Sequence, residues 1–265
     1  MASHRPEVVE KTQFSYCLSC VEDKHCLLKK PKKSGALYHN YKGTFSIVLL
    51  ALCDARYRFI FIAIGSYGHN NDAGIYDSSA PDNALKNGTL NLPPHSTLPG
   101  TQPLTPHVVV GDGAFPLKTY LMKPFAGQNL PPENDIFNYR LSRCRLLIEN
   151  TFGICSKMWR VLLNPFETSI NNAEASIKAI CALHNFLNAE ENANFSLVTL
   201  ADRGEEKNGV WRIQLAMLRQ PENIRSTEAH NSTLSAKSVR ANFIVLFQGG
   251  GAVDWQSRRQ NVAVH

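Results

Sequence analysis

The sequence predicts a mixed α/β core in which strands come first and helices follow. Three observations carry that reading. Two short apolar runs, Phe45 to Cys53 (FSIVLLALC) and Tyr57 to Ile64 (YRFIFIAI), are rich in β-branched and aromatic residues and separated by only Asp54-Ala55-Arg56, which fits a hairpin. A long segment from Pro132 through Trp159 repeats apolar residues at Leu141, Cys144, Ile148, Phe152 and Cys155, the three-and-four spacing of one helix face. The strands are apolar at successive positions, which implies a sheet covered on both faces.

The remaining elements follow in order. Cys17 to Val21 reads as a strand ending at the acidic pair Glu22-Asp23, and Val108 to Val110 as another, after a loop holding five prolines between Pro93 and Pro106. Asp72 is expected to cap a helix running through Ile75 and Tyr76 towards Leu85, since a short acceptor side chain satisfies the first free N–H groups. Ala173 to Leu187 places Ile177, Ile180, Cys181, His184 and Leu187 at helical spacing. Residues 188–208 turn polar and read as a linker or inserted loop, and Ser232 to Phe247 reads as one amphipathic helix.

The chain has 265 residues, 43% hydrophobic and 19% charged, with a net charge of +6. That is ordinary globular usage, too apolar for wholesale disorder, and the mild basic surplus suits a polyanionic partner without establishing one. No apolar run reaches the ~18 residues of a membrane span, and the N-terminal residues lack the apolar core of a secretory signal. Seven cysteines, an odd number, then lead us to expect reduced thiols in an intracellular protein. Cys17-x-x-Cys20 with His25 and Cys26 approaches a zinc spacing, but adjacent third and fourth ligands rarely close a tetrahedron, so buried thiols are the expectation.

The acidic residues are more informative. Glu22 and Asp23 follow one predicted strand and Asp112 follows another in VVVGDGAF. Glu149 lies ~80° around the long helix from Leu141, on the border of its apolar stripe. Strand-end acids and a helix-border acid in one fold suit a divalent cation, because hard ions take oxygen ligands and keep several waters. The basic run Lys29-Lys30-Pro31-Lys32-Lys33 is the kind of patch that meets phosphates or an import receptor.

Several words of the chain, taken in order, resemble the catalytic domain of PIF/Harbinger-type transposases and the nucleases derived from them. They are Lys32-Lys-Ser-Gly35, Asn40-Tyr-Lys-Gly43, FSIVLLALCDARYRFIFIAIGSYG, VGDGAFPL at 110–117, FNYRLSRCRLLIENTFGI at 137–154 and LHNFL at 183–187, with a weaker echo at Trp255-Gln256. The resemblance implies an RNase H-like fold over residues 14–188, after a short remnant at 1–13 and before a polar linker and helical extension at 189–265. It implies a DDE endonuclease whose acids bind two Mg²⁺ or Mn²⁺ ions. Asp112 then matches the second acid and Glu149 the third.

The first acid departs from the family pattern. Where the family carries Asp-Gly before Lys-His, this chain has Glu22-Asp23 before Lys24-His25. The longer Glu22 carboxylate moves by ~1.5 Å in a constellation that tolerates about 0.5 Å. Asp23 reaches the same place only through a bulge, since successive strand side chains face opposite ways. The expected metal and catalytic residues are therefore Glu22, Asp23, Asp112 and Glu149, and the expected DNA-phosphate contacts are Lys24, Lys30, Arg140, Arg143 and Arg145. The resemblance further implies DNA as substrate, a Myb-like DNA-binding partner protein and a location in the nucleus, with the cytoplasm as a second, the alternative function being a silent nuclear DNA- or protein-binding module. Family members carry a helical region ahead of this domain, so a shortened member is expected.

Overall fold

A computed structural model describes residues 12–98, 104–189, 201 and 232–256. Strand β1 (Cys17–Leu28), β2 (Phe45–Cys53) and β3 (Phe59–Tyr67) are followed by the short helices α1 (Asp72–Asp77) and α2 (Ala80–Lys86). Four brief strands come next, β4 (Ser96–Thr97), β5 (Leu104–Thr105), β6 (Val108–Val110) and β7 (Leu121–Met122). Helix α3 (Pro132–Met158), a 3-10 turn at Arg160–Leu163, α4 (Ile170–Ala189) and α5 (Leu234–Gln248) complete the order. A five-stranded sheet runs β3-β2-β1-β6-β7, with β1, β2 and β3 antiparallel and β6 parallel to β7. Such a mixed sheet with flanking helices is consistent with an RNase H-like fold. No helix among the described residues is long and apolar enough to cross a membrane.

The chain forms two units that interleave along the sequence. The first contains residues 1–19, 84–145 and 226–265, the second residues 20–83 and 146–225. Helix α5, read from sequence as part of an extension, thus belongs to the same unit as β6, β7 and the first half of α3. The polar stretch after Ala189 lies outside the described residues apart from Ala201.

The second unit is a strand meander with helices against it. In β2 every residue after Phe45 is buried, the pattern of a strand covered on both sides. Asp54 closes the β2–β3 hairpin: its Oδ1 accepts the N–H groups of Arg56 and Arg58 at 2.9 and 3.0 Å, and its Oδ2 meets the Arg58 guanidinium at 2.7 Å. Helix α4 is latched to the hairpin through backbone groups. Asn185 brackets Phe59, accepting its N–H at 2.8 Å and donating to its carbonyl at 2.7 Å, and His184 Nε2 lies 2.7 Å from the Tyr57 carbonyl. Where α4 passes β3, Gly65 leaves room for Glu174, whose Oε1 would stand 2.8 Å from a Cβ there.

The first unit is built on aromatic rings. Phe14 packs on Phe137, Phe243 and Phe247 with centroids 5.9, 5.0 and 5.1 Å away, so α3 and α5 share one core with the segment leading into β1. Arg140 is only 1% exposed within that core. Its guanidinium donates to the Gln13 carbonyl at 3.0 Å, the Gly251 carbonyl at 2.6 Å and the Gln256 side chain, and lies over the Phe247 ring at 4.2 Å. Burial pushes its pKa down to about 10.

Two local expectations are corrected. Strand β1 continues seven residues past Val21 to Leu28, because its pairing with β2 runs unbroken from Cys20 opposite Cys53 to Leu28 opposite Phe45; Glu22 and Asp23 are therefore mid-strand. The helix expected from Asp72 is two helices, and the cap is Asn71, whose side chain accepts the Gly74 N–H at 2.6 Å; Asp72 contributes its charge inside the first turn instead.

Candidate active site

Glu22 owes its direction to strand alternation. Because β1 pairs with β2 without a register break from Cys20 to Leu28, Glu22, Lys24 and Cys26 share one face, and Val21, Asp23 and His25 share the other. The Lys24 ammonium sits 6.0 Å from the Phe152 ring of α3. Cys26, two residues on, lies within electrostatic reach of Cys155, one helical turn beyond Phe152. Strand and helix therefore advance together. Stepping back by two residues on β1 and three on α3 leads to Glu22 and Glu149. Both side chains are half-buried, and by alternation Glu22 is the β1 acid on the face that Lys24 presents to α3.

Asp23 belongs to a different neighbourhood. Its Oδ2 is 3.8 Å from His25 Nε2, and His25 Nδ1 is 2.8 Å from Ser46 Oγ. Burial, reinforced by the charges of Lys42 and Lys24, lowers the His25 pKa to about 4, so the ring is neutral at physiological pH and the Asp23 contact is not an ion pair. The bulge that would turn Asp23 towards the other face is absent from β1. Asp23 therefore lies on the β1 face opposite Lys24.

Asp112 lies in the first unit, just past β6. Its Oδ1 accepts the Ala114 N–H at 2.9 Å, an Asx turn that fixes the carboxylate against its own loop. The Lys123 ammonium, next after β7, donates to the neighbouring Gly113 carbonyl at 2.9 Å. Burial lowers the Lys123 pKa, Asp112 opposes that shift, and Arg240 adds to it.

The expected phosphate contacts separate into three kinds. Arg140 is corrected outright: a guanidinium buried in an aromatic core and committed to backbone carbonyls is structural and unavailable to DNA. Lys24 stands on the acid-bearing face of β1, and Lys30 is exposed with its ammonium 5.5 Å from the Phe45 ring. Arg143 and Arg145 are half-buried on α3. His184, bound to a carbonyl and with its pKa lowered by burial, has a structural place. All seven cysteines are buried thiols without disulfides, and burial pushes those of Cys26 and Cys181 up to about 11 and about 12, which makes them poor nucleophiles. Lys123 and Arg240 escaped the sequence reading because isolated basic residues far apart in the chain carry no spacing signal.

Glu22, Asp112 and Glu149 are each partly solvated carboxylates, the oxygen chemistry that hard divalent ions take. Among the described residues no three His, Cys, Asp or Glu side chains gather into a group able to hold an ion.

Comparison with known proteins gives the family. Residues 23–185 match the model described as DDE superfamily endonuclease, a span that includes Asp112 and Glu149 and begins one residue after Glu22. The chain is 23% identical over 180 residues to Protein ALP1-like of Arabidopsis thaliana, covering 64% of this chain and 43% of that protein. It is 26% identical over 171 residues to "Putative nuclease HARBI1" of Bos taurus, covering 63% and 45%, and 26% over 164 residues to the Homo sapiens protein of the same name, covering 61% and 43%. The chain thus spans less than half the length of these curated relatives. No solved structure matches it. With more than half of its length, residues 23–185, inside one family model, the chain belongs to the DDE superfamily endonucleases.

Proposed function

We propose that this chain hydrolyses phosphodiester bonds in DNA with Glu22, Asp112 and Glu149 as carboxylate ligands of divalent ions, Mg²⁺ or Mn²⁺. The observation that supports this most directly is the approach of Lys24 to Phe152 of α3, which turns the β1 face carrying Glu22 towards the helix that carries Glu149, at the edge of the family-matched segment. Bound ions would supply activation of water and stabilisation of the leaving oxygen. The chain's own groups do the rest. Asp112 is oriented through its bond to the Ala114 N–H, and Lys24, on the Glu22 face, brings a positive charge for a phosphate. Sequence recognition would fall to a Myb-like partner protein in the nucleus, an assignment supported by the resemblance to PIF/Harbinger transposases alone.

A second reading, a silent DNA- or protein-binding module, is favoured by one observation: Glu22-Asp23 stands where the family pattern has Asp-Gly. Calorimetric titration of Mn²⁺ into the chain, beside Asp112→Ala and Glu149→Gln, separates the two. Saturable binding lost in both variants supports the nuclease. Absence of binding in the folded parent protein supports the silent module. If binding is present, the double substitution Glu22→Asp with Asp23→Gly is expected to raise plasmid cleavage at least tenfold, since it restores the carboxylate position to which such sites are sensitive.

A further inference from the structure

We infer that Lys123 and Arg240 form a phosphate-binding notch beside Asp112, and that helix α5, outside the family-matched segment, thereby contributes to nucleic-acid binding. The inference rests on reading Asp112 as one of the acids of a DNA-cleaving site, and it names where a phosphodiester of the substrate strand would be held.

The notch is assembled within one unit. The loop after β6 carries Asp112 and Gly113, the chain leaving β7 carries Lys123 and Phe125, and α5 carries Arg240. The Lys123 ammonium bonds the Gly113 carbonyl at 2.9 Å. Arg240 lays its guanidinium over the Phe125 ring, with Cζ 3.6 Å from the centroid, and directs Nη1 to the Lys123 carbonyl at 3.4 Å. Phe125 is a firm platform, because Asn138 accepts its N–H at 2.8 Å and donates to its carbonyl at 2.9 Å. Stacking uses one face of the guanidinium and leaves its edge for hydrogen bonds, the arrangement in which arginine recognises phosphate.

The charge balance points to an anion. Lys123 and Arg240 are both half-buried, and burial lowers both pKa values. Among the described residues neither has a carboxylate within 4.0 Å. Cations taken from water are ordinarily paired. Asp112 is the acid that acts on Lys123, and its single charge does not offset two. The approach is open as well: a Cβ at Gly113 would meet nothing within 4 Å. A phosphodiester placed beside Gly113 would meet the Lys123 ammonium there, with the Arg240 guanidinium next to it at the Lys123 backbone, beside the acid that is proposed to act on it.

The test is the binding of a short fluorescein-labelled DNA duplex by the full chain, followed by anisotropy in EDTA over a salt series. The proteins are the parent, Lys123→Gln, Arg240→Gln and Arg240→Lys, with thermal unfolding confirming that each is folded. Each glutamine variant is expected to weaken binding roughly tenfold at low salt and to lower the slope of log Kd against log salt by about 1, the signature of one lost phosphate contact. Arg240→Lys should recover most of the slope. Glutamine variants that are folded and bind like the parent overturn the proposal, as does a parent chain that does not bind the duplex. Since EDTA removes the metal, these outcomes do not depend on turnover. Failure of the nuclease reading would appear separately, as Mn²⁺ titrations unaffected by Asp112→Ala while the loss of DNA binding in the glutamine variants persists.

Discussion

Both units of this protein fasten a helix to a neighbouring segment with the same device, an asparagine amide that brackets the backbone of a phenylalanine: Asn138 on Phe125 in one, Asn185 on Phe59 at the start of β3 in the other. The cores behind the brackets differ. The meander unit buries an aliphatic strand, β2, along nearly its whole length. The other unit has short strands and relies on Phe14, Phe137, Phe243 and Phe247 with Arg140 among them. Hydrogen-bond ladders and alternation specify the first, and ring packing across distant segments specifies the second. The consequence for function is that Glu22 and Glu149 are set by a sheet and a helix in register, whereas Asp112 depends on a unit that also needs residues 234–256.

The largest test of that contrast is Phe247→Ala, which should destabilise the protein by about 4 kcal/mol, and thermal unfolding with near-UV circular dichroism should show tertiary aromatic signal lost with it. A cost below about 1 kcal/mol, the size of a surface change, would show that α5 is not part of the core. Next comes pH. His25 in the meander unit has its pKa lowered to about 4 in the folded state from about 6.5 unfolded. Below pH 6.5 the unfolded chain therefore binds a proton that the folded chain refuses, and stability falls as pH drops from 6.5 to 4, by up to about 3 kcal/mol. Chemical denaturation across that window should show the slope, and His25→Asn should flatten it. An unchanged slope in the variant would remove His25 as its source.

The brackets themselves sharpen the comparison. Asn185→Ala strands the N–H and carbonyl of Phe59, a residue 7% exposed, and should cost about 2 kcal/mol. Asn138→Ala strands those of the half-buried Phe125 and should cost about 1 kcal/mol, because water can replace part of the loss. Equal costs by urea unfolding would mean that burial does not set the strength of the device. The smallest effect is expected at Lys29→Ala, which breaks a pair with Glu167 whose side chains are 71% and 72% exposed, and should change stability by less than about 0.5 kcal/mol.

Much of this was legible in the chain itself. The runs at 45–53 and 57–64, the valines of β6, and the periodicities of α3, α4 and α5 were visible because strand and helix repeats write themselves into local sequence. Asp112 and Glu149 stood out for the same reason, one at a strand end and one at a stripe border. Glu22 stood out together with Asp23 as a strand-end acid, and its place before Lys24-His25 set it against the family's first acid. Arg140 was misread because an arginine within a helix gives no local sign of which neighbours bury it; Gln13, Gly251 and Gln256 come from opposite ends of the chain.

The sequence by itself determined the element types, the alternation along β1 and the family to which the chain belongs, because each depends on residues near one another or on ordered words. Only the tertiary structure decided which face of β1 meets α3, namely the Lys24 face, which by alternation carries Glu22 and not Asp23. It alone decided that Arg140 is a core residue and that Lys123 and Arg240 stand together beside Asp112. The reason is physical. A period of two tells which side chains share a face but not what the face meets, and burial and charge pairing are set by contacts between segments that may lie a hundred residues apart.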